Sequence, residues 1–219
     1  MATDAYTGHV EPDGAWQDRR DGGVVIRKLA VEEFNNNVYV VGCARSGEAV
    51  IIDAAARPER LLEASEGFRI TAVVQTHGHW DHVRAWEALR DDHDLEVWGH
   101  PADGELFPRA VDRELTGGEV LTLGDVAVEV IHLPGHTEGS LLYLVHGDER
   151  PHLFSGDTLF PGGHGKTTSD ADHHRIMDGL EEKVFDRLPD ETWVYPGHGD
   201  DTTLGTERPH LTEWRERGW

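Results

Sequence analysis

The segment His77-Gly78-His79-Trp80-Asp81-His82 packs three imidazoles and a carboxylate into six positions. In extended backbone, residues two apart project to the same side, so His77 and His79 can share one metal ion. Asp81 and His82 are adjacent, project differently, and suit a second ion close by. Imidazole and carboxylate are donors that zinc and its first-row neighbours accept. Asp81 is also a favoured residue type for the N-cap of the helix expected to follow. Three further segments share one grammar: an apolar run ends, a glycine turns the chain, and a ligand-type residue appears. They are LPGHTEGS with His136, LFSGDTLF with Asp157 and VYPGHGD with His198. Alone, each would be an ordinary surface or turn residue; the ordered set points to a metal site.

Such ligands converge only if several strand ends share one edge. Strands are expected at 24–31, 37–44 and 49–55, separated by Asn, Gly and Ser. Pro58 opens a helical stripe through Leu61, Leu62 and Ala64, with Gly67 as its stop. A buried strand over 70–76, a helix from Val83 to Asp92 and a strand over 95–100 follow. From Gly117 the chain becomes a meander of short strands. A helix over 170–188 carries Ile176, Leu180, Val184 and Leu188 on one stripe. Residues 192–197 read as a last strand and 207–218 as a terminal helix. Residues 1–22 lack periodicity and read as an irregular arm. No repeat or linker divides the chain, so a single domain over 1–219 is expected. Two groups of strands, each followed by helices, fit an α+β architecture: two sheets face to face with helices outside, a four-layer αββα sandwich.

The composition, 37% hydrophobic and 28% charged over 219 residues, suits one soluble globular domain. No run of about 18 apolar residues occurs, so no membrane span is expected. The polar, acidic N-terminus does not resemble a secretory signal, and the single Cys43 cannot form an internal disulfide. Both point to the cytoplasm, with Cys43 as a small core residue. The formal charge of −22, from 42 acidic and 20 basic residues, repels phosphate backbones and anionic membranes. A nucleic-acid partner is therefore set aside in favour of a small-molecule substrate. Among the 15 histidines, those outside the four segments and His164 read as surface or structural, with His173 and His174 possible neighbours of the site mouth.

HGHWDH matches the H-x-H-x-D-H signature of the metallo-β-lactamase superfamily, and the His136, Asp157 and His198 motifs follow in that family's order. The chain resembles the family from roughly Val40 to Gly199. Carried over position by position, the resemblance implies that His77, His79 and His136 hold a first metal ion. Asp81, His82 and His198 would hold a second, with Asp157 bridging and Asp53 supporting the ligands from behind. Asp81 is counted among the catalytic residues as well. Two such ions, about 3.5–4 Å apart, share a water whose pKa falls toward neutrality. The implied chemistry is hydrolysis of an acyl bond by metal-bound hydroxide, with zinc expected and iron or manganese as the other options.

Within the superfamily, PGHTEGS, SGDTLF and PGHG are most similar to glyoxalase II, the hydroxyacylglutathione hydrolases that cleave thioesters. The typical subclass of zinc β-lactamases has Cys where Asp157 stands, which sets antibiotic hydrolysis aside. After GDTLF, glyoxalase II usually shows a Gly-Cys-Gly-Arg-like run, whereas this chain has PGGHGKTT, nominating His164 and Lys166 as substrate contacts. Two-domain members add a helical glutathione-gripping domain after the last histidine, where only residues 200–219 follow here. An iron-dependent persulfide dioxygenase, or a lactone hydrolase, is the alternative on the same fold.

Overall fold

Residues 24–52 hold Val- and Ile-rich runs buried on both faces, which requires a sheet covered on both sides. In the computed structural model, which describes residues 6–218, they belong to a seven-stranded sheet. Its strands lie in chain order: β1 (Gln17–Asp21), β2 (Val24–Val31), β3 (Asn36–Cys43), β4 (Glu48–Ile52), β5 (Arg69–Val74), β6 (Val97–Gly99) and β7 (Arg113–Glu114). The strands β1 to β4 pair antiparallel, and β4 to β7 pair parallel.

The second sheet begins with β8 (Val120–Leu123), β9 (Val126–His132), β10 (Leu141–His146) and β11 (Pro151–Gly156). A hairpin of β12 (Leu159–Phe160) and β13 (Gly163–His164) intervenes before β14 (Trp193–Pro196) and β15 (Thr202–Thr203). The sheet order is β15-β14-β11-β10-β9-β8, with β14 joining β11 in parallel.

Inward residues of the two sheets meet in one apolar layer, Val41, Val50 and Val74 against Val128, Leu141, Tyr143 and Phe154. Helices α1 (Pro58–Ala64) and α2 (Trp86–His93) cover the outside of the first sheet with Leu61, Trp86 and Leu89. Helices α3 (Asp170–Leu180), α4 (Leu204–Glu207) and α5 (Leu211–Arg217) cover the second with Ile176, Met177, Leu204 and Trp214. Each fully buried large side chain contributes about 1.5–3 kcal/mol. Three apolar layers thus hold four structural layers in an αββα sandwich.

Four local expectations are corrected. Residues 17–21 of the supposed arm form β1, a strand whose outward positions are charged, so it shows no apolar period; residues 1–5 lie outside the described residues. Helix α2 begins at Trp86, not Val83, and residues 80–82 form a separate 3-10 turn. Asp81 is therefore not its N-cap; Ala85 occupies that position. The helix expected over 170–188 ends at Leu180 and continues as one wider π-type turn over Glu181–Phe185. Among the described residues, no helix is long and apolar enough to cross a membrane.

Candidate metal centre

All seven candidate ligands follow the ends of β5, β9, β11 and β14, and the two-sheet packing brings these loops to one place. Where β4 ends, Asp53 takes a left-handed backbone with φ 66°. That turn aims its buried carboxylate at the loop after β5. Asp53 Oδ1 accepts from Thr76 N–H at 2.7 Å, and Oδ2 accepts from the Thr76 hydroxyl at 2.8 Å and His82 Nδ1–H at 2.9 Å. The Thr76 hydroxyl, having donated its proton, accepts from His77 Nδ1–H at 3.0 Å.

Backbone carbonyls fix the other rings. His136 Nδ1–H donates to the Lys166 carbonyl at 2.8 Å, and His198 Nδ1–H donates to the Phe34 carbonyl at 2.8 Å. Four imidazoles thereby commit their N–H at Nδ1 and present a bare Nε2. His79 completes the set, with Nδ1 3.0 Å from His136 Nε2.

These bare nitrogens test whether cations fit. His82 Nε2 and His198 Nε2 lie 3.1 Å apart, two lone pairs face to face. Asp157 Oδ1 lies 3.5 Å from His82 Nε2, while its Oδ2 lies 3.5 Å from His198 Nε2 and 3.6 Å from His136 Nε2. Asp81 Oδ2 lies 3.3 Å from His198 Nε2. Among the described residues, His77 Nε2 and Asp157 Oδ1 are buried with no hydrogen-bond partner. A buried acceptor left bare costs about 1–3 kcal/mol, a cost that a cation at the centre removes.

The ligand-type atoms form three groups, each within 4.8 Å: His77, His79 and His136; His77, His82 and Asp157; and Asp81, His82 and His198. The acidic field draws a positive charge to these nitrogens, a proton when no metal ion is bound and a metal ion in its place. Burial lowers the His198 imidazole, but Asp157 and Asp81 outweigh it and raise it to about 9. Burial raises the Asp157 carboxyl, and the imidazoles of His82, His198 and His77 overcome this and hold it well below the usual carboxylate range.

Two glycines make room. A Cβ at Gly197 would stand 2.1 Å from Asp157 Oδ1, and one at Gly165 would stand 1.7 Å from the Asp157 carbonyl oxygen. Both positions tolerate only a hydrogen.

Three residues that the sequence did not single out hold the loops. Asn36 Nδ2 donates to Asp81 Oδ2 at 2.9 Å, and Asn37 Nδ2 donates to the carbonyls of Pro196 and Gly199 at 2.9 Å each. Asp103 accepts from Gly78 N–H and the Thr137 hydroxyl through Oδ2, and from Gly139 N–H through Oδ1. It thus ties the His77–His79 loop to the His136 loop. The triple Asn35-Asn36-Asn37 was the one available signal; Asp103 had none. The two substrate candidates part company. Lys166 is exposed, whereas His164 is 5% exposed and packs against His173 with ring centroids 5.0 Å apart. The His164 ring is buried beside His173.

Hydroxyacylglutathione hydrolase GloC of Haemophilus influenzae is 33% identical over 204 residues, covering 84% of this chain and 94% of that protein. Among solved structures, BLEG-1 B3 metallo-β-lactamase superposes with a TM-score of 0.75 at 30% identity, covering 86% of this chain and 99% of that one. TTHA1623 in a di-iron-bound form superposes with a TM-score of 0.68 at 31% identity, covering 83% and 96%. The profile of the metallo-β-lactamase superfamily matches residues 31–198, and the chain belongs to that superfamily.

Proposed function

We propose that the chain is a metal-dependent hydrolase of a small acyl substrate, in the first place a thioester, working as a single domain over 1–219 in the cytoplasm. The observation that carries this proposal is the convergence of tautomer-fixed imidazole nitrogens on the Asp157 carboxylate. By this reading His77, His79 and His136 would hold one divalent ion, and Asp81, His82 and His198 the other, with Asp157 between them. Nitrogen and carboxylate donors suit zinc; iron is the competitor, since one neighbour is a di-iron form.

Divalent ions held there would supply Lewis acidity toward a carbonyl oxygen and lower the pKa of a bound water toward neutrality. The chain's own residues do the positioning. Asp53 orients His82 directly and His77 through Thr76. Asn36 holds the Asp81 carboxylate, which we assign to proton transfer at the reacting water. The thioester preference is supported by the PGHTEGS, SGDTLF and PGHG runs and by the name of the Haemophilus relative. A thiolate leaves without a general acid, which suits this donor set.

The test is metal content per chain, paired with turnover of acylglutathione thioesters, lactones and glutathione persulfide. About two zinc-class ions with chelator-sensitive thioester turnover support the proposal. One iron per chain with persulfide-dependent oxygen uptake overturns it in favour of a dioxygenase.

A further inference from the structure

Large apolar side chains left in water are few here, and they gather at the metal centre. Among the described residues, four are exposed: Phe34 at 50%, Trp80 at 58%, Leu106 at 47% and Val120 at 58%. Three of these four adjoin the ligand loops. The Phe34 carbonyl is the acceptor that orients His198. Trp80 sits in the chain between His79 and Asp81. Leu106 covers Gly78, where an added Cβ would lie 2.6 Å from Leu106 Cβ.

Single exposed apolar residues are ordinary, but a group of them beside a reactive centre marks a binding surface. Phe34 and Trp80 come from segments 46 positions apart, yet their rings meet edge to face at 5.4 Å. Such a pair forms a rigid apolar shelf. Phe160, on the hairpin strand β12, places its ring 6.4 Å from the His198 ring. Three aromatic rings therefore edge the side of the centre where Asp81 and His198 stand. Arg84 lies 5.5 Å from the Trp80 ring and is engaged by Glu32. It is not free to receive an anionic group.

We propose that this aromatic collar binds the acyl half of the substrate, and that this half carries an aromatic or similarly bulky apolar group. The proposal rests on the hydrolase reading above. The assignment to the acyl half follows from thioester chemistry. Common thiol carriers, peptidic thiols among them, place polar amides a few bonds from sulfur. An apolar group held within a ring's width of the centre therefore belongs to the acyl side. Contacts of this kind discriminate by about 10–200-fold.

The experiment uses the metal-loaded full chain and two thioesters of one thiol, mandeloylglutathione and lactoylglutathione, which differ by phenyl against methyl. A kcat/KM at least about ten-fold higher for mandeloyl is expected. Phe34→Ala should cut the mandeloyl-to-lactoyl ratio by about ten-fold with metal content unchanged. Equal kcat/KM for the two, or a ratio untouched by Phe34→Ala, overturns the collar. Binding of phenylacetate against acetate, read by calorimetry, tests the collar without turnover. Tighter phenylacetate binding that is lost in Phe34→Ala supports it even where no thioester is cleaved, an outcome that sinks the hydrolase reading alone. A wild-type dimer that dissociates on Phe34→Ala, with no acyl preference, assigns the shelf to a second copy and overturns the proposal.

Discussion

Lys28 and Asp201 form an ion pair at 2.7 Å with both side chains sealed from water, 0% and 1% exposed. The other two Lys28 protons go to the carbonyls of Gly8 and Gly199, and Asp201 Oδ2 accepts from the Tyr6 hydroxyl and Trp193 Nε1–H. Burial lowers the Lys28 ammonium despite Asp201, and burial raises the Asp201 carboxyl despite Lys28. For each partner desolvation outweighs attraction, so the pair's value lies in position and not in net stability. What it positions is Gly199, next to His198.

Removing one partner should strand a buried charge. Lys28→Met is expected to cost about 3–5 kcal/mol in urea unfolding, while Lys28→Met with Asp201→Asn should cost well under the sum of the singles. Strict additivity in that double-mutant cycle would refute the coupling.

Asp53→Asn separates orientation from fold. Asparagine accepts the left-handed backbone at this position, but it lacks the charge that holds His82 and Thr76. Metal affinity should fall about 10–100-fold in chelator competition while the far-UV spectrum is kept. Unchanged affinity would remove Asp53 from the support of the ligands.

Gly197→Ala introduces a methyl at the Asp157 carboxylate. The expected outcome is loss of at least one metal equivalent per chain, measured by elemental analysis after dialysis. Full metal content in the variant would show that Asp157 can retreat without consequence.

Acid stability should report His152, which is buried and bonded to Asp21 Oδ2 and the Tyr195 hydroxyl, each at 2.9 Å. Burial lowers its imidazole to about 4, with Arg19 and Arg150 acting in the same direction and Asp21 opposing. The unfolded imidazole titrates near about 6.5. Between those values the unfolded chain binds a proton that the folded chain does not, so stability is full above about pH 6.5 and falls toward pH 4. The Asp21 carboxyl is raised by burial, but hydrogen bonds from Glu149 N–H, His152 and Arg150 N–H lower it overall. Its contribution is therefore also lost on acidification, at lower pH. Unfolding free energies from urea titrations at pH 7.5, 6 and 5 should decline by about 1–3 kcal/mol more in the wild type than in His152→Asn.

The ligand segments were legible because each pairs a strand end, a glycine and a donor within a few positions. Val24–Val31 was read to its ends because both faces are buried and the run is continuous. Strand β1 was missed because an edge strand with charged outward positions carries no apolar period. Asp81 was misread as a cap because its carboxylate bonds Asn36, 45 positions earlier. Lys28 and Asp103 were invisible for the same reason: a buried charge is recognisable only beside its partner, and theirs lie 173 and 25–36 positions away.

The Lys28 ammonium has a further consequence, for the order of assembly. It joins the carbonyl of Gly8 to that of Gly199, so this brace on the loop bearing the last ligand forms only when these two distant segments have met. A chain emerging from the ribosome can fold β1 to β5 and expose His77, His79 and His82 long before His198 exists. Completion of the centre is thus a late, long-range closure, and the half-built cluster must wait until the segment bearing His198 has been made.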